Sequence, residues 1–242
     1  ISFNGLTSLL SVEFLNVNNL TTMREMFRGC ESLESINTIG WDTSKVTSMY
    51  YTFYHNYALT ELDVSNWNTS SVTDMRGMFN GANKLTTLAV SEWETGSVRD
   101  MALMFNYANA LQTLDVSNWN VSQVTTMQYM FRDAWALESL NISNWNSENL
   151  NNINCMFQNC TALTSVNANN WNISKVADMS QLFRGCSSLT SLDVSDWKVG
   201  NVTDMNNLFR DCSQLASIDV TNWDIGSATN INSIFRNTNL TT

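Results

Sequence analysis

Residues 59–84 read LTELDVSNWNTSSVTDMRGMFNGANK, and variants of this stretch follow one another along the chain. The hexapeptide DVSNWN recurs letter for letter at 63–68 and 115–120. A series of tryptophans keeps a spacing of 26 residues, and so does a series of phenylalanines from Phe27 to Phe235. A fixed period of this length predicts a solenoid, in which each unit stacks on its neighbours. The tryptophans of the series are Trp41, Trp67, Trp93, Trp119, Trp145, Trp171, Trp197 and Trp223.

Within one unit, the spacing of the apolar residues changes from that of a strand to that of a helix. Leu62 and Val64 alternate with the polar residues Glu61, Asp63 and Ser65, which predicts a short strand with one buried face at 59–64. The apolar residues of 72–79 follow a helical spacing, and Ser71 with Asp74 fits a capping box. We therefore expect an α/β solenoid of about nine 26-residue units. It would have one parallel sheet with short helices on the opposite face, and 1–242 would be a single domain within a longer array.

The composition limits the classes of partner. The formal net charge is −10 and charged residues make up 14% of the chain, which argues against binding to nucleic acid or to anionic membranes. No apolar run approaches the roughly 20 residues that span a bilayer. The start of the sequence shows no signal peptide, so the chain is expected to be cytosolic, already processed or a fragment.

The repeated tryptophan is expected to fill the corner after the strand. A buried Trp contributes on the order of 3 kcal/mol by apolar burial, and equivalent rings in neighbouring units can stack. The alternative is an exposed aromatic stripe that binds sugars. Trp135 and the stretch YYTFYH at 50–55 break the pattern, and we expect them at the surface.

The sequence predicts neither enzymatic activity nor a cofactor. The only histidine is His55, and no glycine-rich phosphate loop, H-E-x-x-H, G-x-S-x-G or C-x-x-C motif occurs. The aspartates that could act in acid–base catalysis occupy one repeated strand position, so they would form a column rather than one assembled site. These are Asp63, Asp115, Asp193 and Asp219.

Four of the five cysteines share one position of the repeat. They are Cys30, Cys160, Cys186 and Cys212, and alanine fills the same position in three other units. A position that accepts Cys or Ala is typical of a small buried space, so we expect reduced, buried thiols. A disulfide among Cys160, Cys186 and Cys212 is the alternative, because neighbouring units bring their Cα atoms within bonding range. No second type of ligand converges there, so zinc is not expected.

The outward residues of the predicted strands form the candidate binding face, which we call the strand face. Its three columns contain hydroxyl and acidic side chains without Lys or Arg. We interpret it as a surface for a protein or a glycan. The alternatives are a polar face that only maintains solubility, a calcium site between the aspartates, or an ice-binding array. The candidate residues are Glu61, Asp63, Ser65, Thr113, Asp115, Ser117, Ser191, Asp193, Ser195 and Asp219.

Sequons for N-glycosylation are frequent in the chain. In a secreted eukaryotic protein several would carry glycan, and those in the turn after the repeated Trp are the best candidates. The candidate acceptors are Asn68, Asn120, Asn172, Asn201, Asn19 and Asn239.

The motifs D-V-S-N-W, V-T-D-M and M-F-x-G-C recur in this order and at one spacing over essentially the whole chain. In this respect the sequence resembles the BspA-like leucine-rich repeats of bacterial surface proteins and lipoproteins; similar repeats also occur in unicellular eukaryotes. The resemblance implies a leucine-rich-repeat fold and an extracellular or cell-surface location, often with a role in adhesion. It transfers no invariant binding residue to this chain.

Two classes of function follow. The first is adhesion or recognition of a protein or glycan ligand. The second is a structural subunit of an extracellular filament, built by end-to-end stacking of copies of the chain. For the second class, the sequence predicts exposed apolar residues in both end units: Leu10, Val12 and Leu15 in the first, and Ile231, Ile234 and Phe235 in the last.

Overall fold

The computed structural model describes residues 1–13, 17–169 and 171–241. The chain winds into a solenoid whose successive coils pair in parallel, as the 26-residue period predicts. Leu15, one of the apolar residues expected in the first unit, lies outside the described residues. Among the described residues, buried apolar side chains form one hydrophobic cluster that runs from Val12 to Leu215. Each coil therefore contributes one layer to a continuous core.

The strands are shorter than the strand that the sequence predicts at 59–64. They are β1 (Ser11–Val12), β2 (Ser35–Ile36), β3 (Glu61–Leu62), β4 (Ser139–Asn141) and β5 (Ser165–Asn167). All pairs are parallel, with β1-β2-β3 in one sheet and β4-β5 in another.

The prediction of one continuous sheet is wrong for the described residues. At two junctions between β3 and β4 the coils keep a single backbone hydrogen bond at the start of the strand position: the N–H of Gln112 donates to Thr86 O at 3.3 Å, and the N–H of Glu138 donates to Gln112 O at 3.2 Å. One such bond places neighbouring coils in register but does not extend the sheet, because a ladder needs successive bonds along both strands.

The predicted helices are absent from the part of the chain that the structure describes, so the α/β class is also wrong. In their place runs a second parallel ladder of single β-bridges. It joins equivalent residues of successive coils: Ser48, Asp74, Asp100, Thr126, Asn152, Asp178, Asp204 and Asn230. We call the surface around this ladder the turn-ladder face.

Hydrogen bonding explains why a helix does not form there. The amide groups of Met75, Gly77 and Phe79 donate to carbonyl groups of the next coil, at 3.0, 2.8 and 2.9 Å. A two-turn helix would leave most of its terminal amide and carbonyl groups unpaired. Overlapping turns aim every second N–H at the neighbouring coil, so stacking provides partners that an isolated helix would lack.

This arrangement requires the left-handed backbone conformation at two positions in each coil. The first series is Glu25, Tyr51, Gly77, Leu103, Tyr129, Cys155, Gln181, Asn207 and Ser233. The second is Gly29, His55, Gly81, Tyr107, Asp133, Asn159, Gly185, Asp211 and Asn237. Gly, Asn and Asp adopt this conformation most easily, but the series also includes Tyr, Leu and Gln. The ladder therefore imposes the conformation at a cost of about 1–2 kcal/mol per non-glycine residue.

Aromatic columns fill the core, as the sequence predicts. Trp119 and Phe131 are fully buried. The rings of Trp119 and Trp145 stack at 6.5 Å with 4° between their planes, and Phe131 and Phe157 stack at 5.5 Å with 5° between theirs. An exposed stripe formed by the repeated tryptophans is excluded, because Trp41 to Trp197 are buried and Trp223 is half-buried.

Candidate functional site

The strand face lies where the sequence places it. Ser117 and Ser195 are half-buried and the other eight candidate residues are exposed. Shallow, open depressions occur between its coils, one of them lined by Asp193, Asp219 and Thr221. The columns are therefore available to a partner. Binding at any of these residues remains a prediction.

The aspartates of the strand face also have a structural role that the sequence analysis did not identify. Asp63 Oδ1 accepts hydrogen bonds from the backbone N–H of Ser65 at 3.0 Å and from its hydroxyl at 2.6 Å. The same pair of bonds recurs at Asp115, Asp193 and Asp219. Each aspartate thus fixes the turn that leads to the tryptophan corner.

These donors also stabilise the ionised carboxylates. The hydroxyl of Ser117, and then its backbone N–H, lower the pKa of Asp115 below the ordinary value, and the pKa of Asp63 is lowered by the same two groups of Ser65. Asn141 fills the same position in its coil and accepts equivalent bonds from Ser143 at 3.2 and 2.9 Å. The turn therefore requires an acceptor oxygen but not a charge.

Two further columns use the same type of turn. After the tryptophan, Asn68 Oδ1 accepts from the N–H and hydroxyl of Ser70 at 3.0 and 2.6 Å. On the turn-ladder face, Asp74 Oδ1 accepts from the N–H of Arg76 at 3.0 Å. The predicted capping box is therefore wrong, because Ser71 Oγ donates to Ser44 O in the preceding coil at 3.0 Å. These columns explain much of the Asp, Asn and Ser content of the repeat.

The sequon asparagines are not equivalent in the structure. Asn172 is half-buried, and the amide nitrogen of Asn201 donates to Ser174 O at 2.7 Å, which occupies the atom to which a glycan would be attached. The other candidates, Asn19, Asn68, Asn120 and Asn239, are exposed. Glycosylation at these positions remains a prediction.

The turn-ladder face carries an aromatic belt, which we define as Tyr50, Tyr51, Tyr54, His55 and Tyr57. Successive rings along this sequence have centroids 4.1, 4.4, 3.7 and 5.1 Å apart, so they form one continuous surface. All five side chains are half-buried or exposed. The sequence indicated YYTFYH as a surface stretch, and this is confirmed except for its Thr52 and Phe53, which are buried.

Arginines flank the aromatic belt on the preceding coil. The guanidinium of Arg24 lies 3.9 Å from the ring centre of Tyr50, and that of Arg28 lies 5.5 Å from Tyr54. Arg132 contacts Tyr129 in the same way at 5.4 Å, farther along the face. These cation–π contacts hold the rings and the charges in fixed positions.

The cysteine column is buried and all its thiols are free. The Sγ–H groups of Cys160, Cys186 and Cys212 each donate to a phenylalanine carbonyl oxygen in the preceding coil at 3.0 Å. Burial raises the pKa of Cys212 to about 12 and that of Cys155 to about 11. Because these thiols are free, the alternative of a disulfide among Cys160, Cys186 and Cys212 is not the arrangement found.

Neither a metal centre nor a membrane span is found within the described residues. No three His, Cys, Asp or Glu side chains converge there in a way that could hold a metal ion. The same part of the chain contains no helix with the length and apolar character needed to cross a bilayer.

Comparison with known proteins gives a family assignment. The family profile described as "Mycoplasma protein of unknown function, DUF285" matches residues 2–112, 84–169 and 162–241, which together span almost the whole chain. The chain belongs to this family. A comparison with curated protein sequences gives no match.

Solved structures of repeat proteins align over most of the chain with low scores. A leucine-rich repeat protein from Bacteroides ovatus has 15% identity and a TM-score of 0.40, covering 98% of this chain and 67% of that one. One from Eubacterium ventriosum has 18% identity and a TM-score of 0.42, with coverages of 99% and 79%. An internalin from Listeria monocytogenes has 16% identity and a TM-score of 0.33, with coverages of 98% and 83%.

Proposed function

We infer that this chain is a non-enzymatic recognition module that binds a protein or glycan ligand through fixed columns of surface side chains. The observation that carries this proposal is the aromatic belt with its flanking arginines. Tyr and Arg are over-represented among the residues that dominate binding energy at interfaces. Here they are partly exposed on a rigid scaffold, so little conformational entropy is lost when a partner binds.

An extracellular or cell-surface location and a role in adhesion belong to the same proposal. The resemblance of the repeats to the BspA-like type, which occurs in surface proteins, supports both. The strand face is a second candidate surface in this proposal. Its exposed acidic and hydroxyl groups suit a polar partner, although its aspartates are also needed for the turns.

An array of immobilised extracellular-matrix proteins and glycans, probed with the labelled chain, tests the proposal. Tyr50→Ala and Tyr54→Asn introduce residues that the repeat itself uses at these positions, in Ala102 and Asn80, so the fold should be retained. The double variant is expected to lose most of the binding. Glu61→Thr with Asp63→Asn is the matched control on the strand face, and it should leave binding unchanged.

The two alternative results are informative in different ways. If the strand-face variant loses binding and the belt variant does not, recognition is retained as the function but takes place on the strand face. If the wild-type chain binds no protein or glycan on the array, the recognition proposal is contradicted.

Assembly of a filament by end-to-end stacking is the second candidate function. Large apolar residues are exposed in the first and last coils: Leu6 is 50% exposed, Leu10 61%, Ile225 50% and Ile231 49%. Of the other end residues that the sequence predicted to be exposed, Val12 is buried and Ile234 and Phe235 are half-buried. In a longer protein, adjoining coils would cover these surfaces. If the isolated chain forms filaments, its mass measured by light scattering should increase with protein concentration. A constant monomer mass would contradict the filament function.

A further inference from the structure

One end of the aromatic belt borders a small, half-open pocket. Its lining is His55, Tyr57, Asn80, Gly81, Asn83 and Tyr107, from three successive coils, and its volume is about 250 Å³. Pockets for drug-sized ligands have volumes of roughly 300–1,000 Å³. The pocket therefore has room for about one six-membered ring with its substituents.

Gly81 allows the rings of His55 and Tyr57 to pack close to the backbone of the next coil. Its φ is +79°, and a Cβ at this position would lie 3.1 Å from His55 Cδ2 and 3.2 Å from Tyr57 Cε1. A side chain there would push against both rings. The other coils place Tyr, Asp or Asn at most equivalent positions, whereas Gly81 adds no side chain to the lining of the pocket.

The lining combines aromatic walls with amide groups. Tyr57 and Tyr107 are 36% and 39% exposed, so parts of both rings are available to a ligand. The Asn83 amide nitrogen faces the carbonyl oxygens of Gly81 and Tyr107, at 3.2 and 2.6 Å, in the orientation that satisfies both groups. Asn80 also lines the pocket, so its polar part contains two amide side chains.

The pocket lining has no charged group at neutral pH. None of its residues is Lys, Arg, Asp or Glu, and burial lowers the pKa of the single imidazole, His55. An ionic ligand would have no counter-charge among the lining residues, which favours a neutral one.

We propose that the pocket between His55, Tyr57 and Tyr107 binds one pyranose ring of a neutral carbohydrate. This inference rests on the recognition function proposed above and names one ligand class for it. A pyranose ring offers an apolar C–H face to the aromatic walls and hydroxyl groups to the amides. The aromatic side chain of a protein partner would match the walls, but it offers at most one hydroxyl group to the polar part of the lining, where unpaired groups are costly when the site is desolvated.

Saturation-transfer NMR with methyl pyranosides of glucose, galactose and N-acetylglucosamine tests the inference on the whole chain. At least one of them is expected to receive saturation at its ring protons. Tyr57→Asn and Tyr107→Asn should each weaken its binding by roughly 3- to 10-fold, as expected for the loss of one aromatic contact. Both are variants that should fold, because Asn83 and Asn159 occupy the equivalent positions in other coils.

Trp135→Asn is the matched control. Trp135 occupies the same repeat position as Tyr57 and is 49% exposed, but it is not part of the pocket. Its replacement should leave pyranoside binding unchanged. The inference is overturned if none of the pyranosides binds the wild-type chain, or if the control variant weakens binding as much as the two pocket variants.

The array experiment distinguishes failure of the carbohydrate inference from failure of the proposed recognition function. One outcome is that the chain binds a protein on the array, that Tyr57→Asn and Tyr107→Asn do not affect this binding, and that no pyranoside binds. In that case the recognition function is retained and the carbohydrate site is wrong. Pyranoside binding that is lost in both pocket variants supports the site itself.

Discussion

The indole nitrogen of Trp119 donates a hydrogen bond of 2.9 Å to the carbonyl oxygen of Val90, 29 residues earlier and in the preceding coil. The same bond joins Trp145 to Val116 at 2.9 Å. At these two positions the tryptophan therefore both fills the corner and pairs a backbone carbonyl group of the preceding coil. A phenylalanine could provide only the first of these functions.

The tryptophan column supplies a prediction about stability. Trp119→Ala should lower the free energy of unfolding by about 3–5 kcal/mol, because it leaves a large cavity in the core. Trp135→Asn, at an exposed position, should change it by less than about 1 kcal/mol. Denaturant unfolding measures both, and similar losses would contradict the assignment of Trp119 to the core.

A second comparison isolates the indole hydrogen bond. The indole nitrogen of Trp197 is buried and has no acceptor in the described part of the chain, whereas that of Trp119 is paired. Trp119→Phe should therefore cost about 1–3 kcal/mol more in unfolding free energy than Trp197→Phe, because it removes the donor for Val90. Equal costs in denaturant unfolding would show that the hydrogen bond contributes nothing beyond packing.

The aspartate turns predict a pH dependence. The folded-state pKa of Asp115 is lowered from the ordinary value of 3.8, so its contribution is present above that value and is lost as the pH falls through the folded pKa. Stability should therefore decrease below about pH 4. Asp115→Asn should keep the turn, as Asn141 does, and reduce this dependence. Thermal unfolding from neutral to acidic pH measures it, and an unchanged profile in the variant would count against the role of Asp115.

The cysteines predict low thiol reactivity in the folded protein. All five are buried, and burial raises the pKa of Cys160 and Cys186 well above the ordinary value of 9.0. A thiol reagent at mildly alkaline pH should react with none of them until denaturant is added, because the thiolate is the reactive form. Rapid modification of any of the five in the native protein would be inconsistent with this arrangement.

The left-handed positions predict opposite effects for two glycine substitutions. At Gly77 φ is +58°, and a Cβ would lie 2.1 Å from Tyr51 Cε1, so Gly77→Ala should destabilise the protein by about 1–3 kcal/mol. Gly200 has no left-handed φ, and its nearest neighbour is Asp224 Oδ2 at 3.5 Å. Gly200→Ala should be neutral or stabilising by up to about 1 kcal/mol, because it reduces the entropy of the unfolded chain. Thermal unfolding compares the two, and a loss at Gly200 equal to that at Gly77 would contradict the backbone assignment.

The amino-acid sequence by itself determined the period, the buried columns and the parallel stacking. Trp119, Phe131 and Cys186 recur at fixed positions, and a solenoid is the arrangement that buries every copy of such a column at once. The exposed position of Trp135 could also be predicted, because it breaks the period. Local sequence was sufficient here because each of these properties follows from a position within the repeat.

Tertiary structure alone decided the backbone between Val72 and Phe79. Their apolar spacing fits a helix and a series of overlapping turns equally well. The choice depends on whether the amide groups find acceptors within the segment or in the next coil, and the N–H of Met75 donates to Asp100 O, 25 residues later.

The pocket could not be predicted from the repeat pattern either, because His55, Gly81 and Tyr107 share one repeat position in three coils. Only the stacking of those coils brings these residues together around one pocket, because a repeat alignment gives the position of each residue in its coil but not the space between neighbouring coils.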